Sequence, residues 1–112
     1  MVEVNLKAKV TSVRPGLIRG QSIATAEYEK GVAIFDVIES IYEVKEGDVL
    51  ELSISEEKPK NLDEQNFCGH GYLVVDEKIG ETVLSIWGIV FRFKPPLGLQ
   101  LEQKYYLCFK KL

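Results

Sequence analysis

Few residues of this chain could carry chemistry. His70 stands between Gly69 and Gly71 and could act as a general base. No GxSxG elbow, second histidine or neighbouring nucleophile accompanies it, so it reads as a structural or surface histidine. Cys68 and Cys108 lie far apart, each in an apolar, strand-like run, and read as buried free thiols rather than a disulfide. With a single histidine they cannot make a tetrahedral zinc site without carboxylate help. Paired acids, Glu56-Glu57 and Asp63-Glu64, fall in the most polar stretch, where solvation accounts for them better than a glycosidase or metal role. The chain has no GxxxxGKS/T loop, no GxGxxG after a strand and no CxxC pair. The expectation is a chain with no catalytic residue, no metal site and no cofactor.

What remains is binding. Trp87, Phe91, Phe93, Tyr105, Tyr106 and Phe109 crowd the C-terminal third. A barrel could offer some of them as stacking platforms for single-stranded nucleic acid. Strand alternation, however, puts Phe91 with Phe93 on one face, and Tyr105 with Leu107 and Phe109 on one face, which predicts core packing. Trp87, Arg92, Lys94 and Tyr106 are then expected to point outward, and exposed aromatics beside arginine suit a protein interface. Lys110-Lys111 reads as a solvated end.

Elements able to position these residues are almost all strands. Val2, Val4, Leu6, Ala8 and Val10 alternate with Glu3, Asn5, Lys7 and Lys9. Arg14-Pro15-Gly16 predicts a turn, and Leu17 to Glu27, with Gly20 and many small residues, a long bent or bulged strand. Val32 to Val37 reads as well buried, and Val49 to Ser55, opened by Gly47-Asp48, as half-buried. Glu56 to Asn66 is the one long polar loop. Phe67 to Asp76 and Thr82 to Trp87 form a hairpin through Glu77-Lys78-Ile79-Gly80. Gly88 interrupts, Ile89 to Lys94 runs to Pro95-Pro96, and Leu97 to Glu102 leads to a last strand at about Lys104 to Lys110.

About eight short strands without a convincing helix predict a closed or nearly closed OB-like antiparallel barrel, a sandwich being the alternative. At 112 residues the chain is expected to form one domain, 1–112. A net charge of −3 disfavours independent tight DNA binding. The opening residues lack a basic segment followed by an apolar one, and no apolar stretch is long enough to span a membrane, so the expected location is cytoplasmic.

Read together, several stretches resemble the eighth-subunit family shared by eukaryotic nuclear RNA polymerases, whose archaeal relative is the polymerase's G subunit. Ala33-Ile34-Phe35-Asp36-Val37, Ile41-Tyr42-Glu43-Val44 and Gly47-Asp48-Val49-Leu50-Glu51-Leu52 look like the family's strand, "IYPV"-like segment, Gly-Asp turn and strand. Gly71-Tyr72-Leu73-Val74 and Leu84 to Phe93 resemble its next strand and its glycine-containing hairpin strand. Tyr106 to Leu112 resembles its terminus. The resemblance implies an OB-like eight-stranded barrel docked on the largest polymerase subunit near its funnel and pore, without catalytic residues or metal. A barrel docked in this way is expected to support assembly and stability, and on physical grounds the expected interface anchors are Trp87, Gly88, Arg92 and Tyr106. Gly88 stands alone where the family has two glycines, and is expected to admit another backbone, by strand addition. The alternative function is a stand-alone OB-type binder of single-stranded nucleic acid.

Overall fold

The computed structural model describes residues 3–60, 64–75, 80–99 and 103–112. The expected turn at 77–79, Asp63, and Leu101-Glu102 of the last connection lie outside the described residues, as do Met1 and Val2. The described strands are β1 (Glu3–Pro15), β2 (Gln21–Tyr28), β3 (Gly31–Ile38), β4 (Val49–Ser55), β5 (Phe67–Val75), β6 (Thr82–Ile86), β7 (Ile89–Lys94) and β8 (Lys104–Lys111). They form a closed barrel in the spatial order β1-β2-β3-β7-β6-β5-β8-β4, and the antiparallel pairing of β4 with β1 completes the ring. The all-β barrel expected from the sequence is the observed fold.

Alternation builds the wall. Along β4, Leu50, Leu52 and Ile54 are fully buried while Glu51 is exposed, and Phe91 and Phe93 of β7 are buried between exposed Arg92 and Lys94. Tyr105, Leu107 and Phe109 of β8 point inward, as their spacing predicts. The centre is aromatic: Phe35 stacks on Phe91 at 5.4 Å between centroids and Phe67 on Phe109 at 5.6 Å. Burying each such ring contributes about 1.5–3 kcal/mol.

The first bend falls elsewhere than expected. β1 runs on through Arg14 to Pro15, the turn follows it, and β2 begins at Gln21 rather than Leu17. The irregularity belongs to β1, between Val10 and Ser12. Its cause is a double duty: Glu3 to Lys9 pairs with β4, whereas Lys9 to Pro15 pairs with β2, and the bulge bends the strand from one partner to the other. Leu17 and Ile18 are apolar enough to suggest a strand, yet they stand exposed in the connection.

The glycines around His70 have a packing reason. Gly69 and Gly71 face the interior where β5 crosses close to β6. A Cβ at Gly71 would collide with the Ser85 carbonyl and the Ile86 side chain, and one at Gly69 with Ile86.

The reading of Cys68 and Cys108 as free thiols is corrected: they form a disulfide. The β5–β8 register sets them directly opposite each other, with Cα atoms 4.1 Å apart. Both side chains are on the outer side of the barrel, although Cys108 is covered completely.

Candidate docking surface

Two residues join β6 to β7, and both have left-handed backbones: Trp87 at φ 53° and Gly88 at φ 84°. A two-residue hairpin loop favours the primed turns, whose twist suits the flanking strands and whose first choice is Asn-Gly. Gly88 answers that demand. A Cβ there would meet nothing within 4 Å, so within the barrel itself the glycine serves the turn conformation. Trp87 answers it poorly, since a left-handed backbone costs a bulky L-residue about 1–2 kcal/mol. It is also 71% exposed, one edge resting on Phe67 at 6.2 Å.

Trp87 shares its end of the barrel with other uncovered apolar residues. Val90, two residues beyond Gly88, donates its N–H to Asp36 Oδ2 at 3.1 Å, which ties the hairpin to the upper part of β3. The end of β3 in turn meets the β1–β2 connection, where Glu39 N–H donates to Gly20 C=O at 3.0 Å. Leu17, Ile18 and Ile41 are exposed in these connections at 102%, 70% and 52%. Below them Tyr42 plugs the barrel, its ring edge-on to Phe109 at 4.9 Å and its hydroxyl donating to the Asp36 carbonyl. Burial, and secondarily the Asp36 carboxylate, push the Tyr42 hydroxyl well above the usual tyrosine range.

Arg92 lies further down the same hairpin and faces outward, as expected, but its charge is engaged. Its guanidinium meets Glu81 at 2.7 Å, and Lys94 approaches the same carboxylate at 3.5 Å. Glu81, only 6% exposed, depends on both. The sequence alone does not single out Glu81; an acid just before a strand carries no signal until the β6–β7 register places it beside two cations.

Tyr106 is two strands away from the hairpin, on β8. It is half-buried and stacks flat on His70 across the β5–β8 pair, centroids 4.0 Å apart. The next pair along the same outer face sets the Lys104 ammonium over the Tyr72 ring at 4.9 Å. With the disulfide, these pairs make a ladder of covalent, stacked and cation–π contacts. The structure thus brings Trp87 and Gly88 together, leaves Arg92 on the same hairpin in an ion pair, and places Tyr106 in a separate outer ladder. Leu17, Ile18 and Ile41 are surface candidates that sequence reasoning misses, because exposure of an apolar residue in a connection has no local signature. Among the described residues, no group of histidine, cysteine and acidic side chains is placed to hold a metal, and no helix is long and apolar enough to cross a membrane.

A family model for the G subunit of DNA-directed RNA polymerase matches residues 3–112. Curated relatives include the DNA-directed RNA polymerase subunit Rpo8 of Saccharolobus solfataricus, 24% identical, with 97% of this chain and 93% of that protein aligned. The subunit of the same name from Sulfolobus acidocaldarius is also 24% identical, over 92% of this chain and 93% of its own length.

Proposed function

The chain belongs to the G-subunit family of DNA-directed RNA polymerase, and from that premise we propose that its uncovered apolar end docks on the largest subunit of the polymerase. It works as a non-catalytic accessory subunit in the cytoplasm, and supports assembly and stability of the enzyme. A rigid barrel that binds only the folded partner shifts that partner toward its folded form by mass action.

The observation that carries this reading is Trp87. Asparagine would fill the turn without strain, and an exposed indole gives the isolated barrel little in return. Strain held at an exposed aromatic is the pattern of a binding site, and tryptophan is the residue most enriched among interface anchors. A contact of about 800 Å² per partner, centred on Trp87 and fringed by Leu17, Ile18 and Ile41, would suffice. Gly88 belongs to this surface by fixing the loop, Arg92 continues it down the same hairpin, and Tyr106 would be a second contact, in its own ladder two strands away. Family membership favours this reading over a stand-alone binder of single-stranded nucleic acid.

Trp87→Asn tests it, because the substitution suits the turn. The free barrel should unfold at a temperature no lower than the parent's, while affinity for the remaining polymerase subunits should fall by about 2 kcal/mol or more, roughly 30-fold. Undiminished co-purification with the largest subunit would remove Trp87 from the interface. Gly88→Val is the poorer probe, since a β-branched residue at φ 84° damages the hairpin itself.

A further inference from the structure

Closure of the barrel leaves one stretch of strand edge bare. β1 pairs with β2 only from Lys9 onward, so the β2-facing edge of Glu3 to Ala8 has no partner strand among the described residues. The direction of its backbone groups follows from Val10. Val10 donates its N–H to Asp48 C=O at 2.8 Å and accepts from Gly47 N–H at 2.8 Å, so both its groups point to the β4 side. A period of two gives the same direction to Ala8, Leu6 and Val4, and turns the N–H and C=O of Lys7 and Asn5 outward at the bare edge.

That edge opens on a groove of about 570 Å³. Its floor and walls include Leu6, Tyr28, Pro95, Pro96 and Leu97, so it is largely apolar. Tyr28 contributes its ring, and its buried hydroxyl has no hydrogen-bond partner among the described residues. Lys7 and Lys30 stand at the rim against a single acid, Glu29. Unpaired strand groups beside an apolar groove ask for a polypeptide in extended conformation, which alone supplies alternating donors and acceptors at strand spacing. The lysines lining the groove suit an acidic residue on that polypeptide, and membership in a polymerase-subunit family points to a neighbouring subunit as its source.

We propose that an extended segment of a neighbouring polymerase subunit, apolar toward Leu6, Tyr28 and Leu97 and acidic beside Lys7, adds as a strand to the edge at Asn5 and Lys7. The neighbour's identity rests on the polymerase reading, but the edge is remote from Trp87 and is tested apart from it. Amide hydrogen exchange at single-residue resolution, by fragmentation mass spectrometry, is read on the free protein and on the assembled polymerase. In the free protein, Leu6 and Ala8 should be protected and Asn5 and Lys7 should exchange at least roughly tenfold faster, at every concentration. In the polymerase the Asn5 and Lys7 amides should slow by a comparable factor. A photoreactive side chain at Asn5, which projects from the outer face, should join the barrel to another polymerase subunit.

Asn5 and Lys7 amides as fast in the polymerase as in the free protein would overturn the proposal. So would protection in the free protein that grows with concentration, which would assign the edge to a second copy. Co-purification reports assembly separately. A Trp87 variant that stays bound with a protected edge would sink the apolar-end reading alone, and a bound barrel with an open edge would sink this one alone.

Discussion

Tyr42 shows how much one side chain outside a strand can contribute. It belongs to the link between β3 and β4, yet it is 6% exposed and closes the aromatic core from above. Its raised titration has a consequence with a definite sign. The folded state holds the phenolic proton beyond the unfolded value of about 10. Stability from this group is therefore complete below pH 10 and is lost as pH rises above it. Chemical denaturation at pH 8 and pH 11 should show a marked loss for the parent protein. In Tyr42→Phe that loss should shrink to what Tyr28, also raised by burial, contributes. The variant should be weaker by about 1 kcal/mol at pH 8, from the missing hydrogen bond. An equal alkaline loss in both proteins would mean that Tyr42 is not the group responsible. The sequence does present Ile41-Tyr42 as a family feature, but nothing in its spacing tells that the tyrosine turns inward while Ile41 stays outside.

Among elements, β5 is tightly constrained in a way that is hard to read from sequence. Gly69-His70-Gly71 invites a chemical reading, whereas the glycines are what bringing β5 against β6 requires. Gly71→Ala should destabilise the barrel by about 1–3 kcal/mol, as overpacking does, although alanine is otherwise acceptable in a strand. Urea unfolding would check this, and a neutral result would mean that β6 can retreat at no cost. Inward and outward faces, by contrast, are readable wherever strict alternation holds, as in β4 and β7. What escaped was register. A single sequence shows which residues share a face, not which residue of a remote strand stands opposite. Cys68 beside Cys108, His70 beside Tyr106 and Glu81 beside Arg92 are all facts of pairing, and so the outer ladder and the ion pair surfaced only with the fold. The Trp87-Gly88 turn escaped for another reason: it uses a residue that turn chemistry disfavours, a broken local rule that the proposed docking role would account for.

For the molecule as a whole, the disulfide fastens two strands that are 40 residues apart in the chain. Constraining a loop of that length in the unfolded state corresponds to about 4 kcal/mol by the chain-entropy relation. Guanidinium unfolding with and without reductant should differ by several kcal/mol. Matching curves would show that the non-covalent ring is sufficient. The same organisation divides the wall from its connections: inward positions make one aromatic core, while connections at one end leave Leu17, Ile18, Ile41 and most of Trp87 exposed, the surface proposed for docking.

β8 is the strand against which both β4 and β5 are laid, and it is the last of the described strands in the chain. A growing polypeptide emerging from the ribosome therefore carries two raw, sticky borders until residues 104–111 have been made. Nascent copies are vulnerable to clumping throughout that interval. Shielding by chaperones until β8 has been laid between its two neighbours would decide how much of the protein reaches its enzyme.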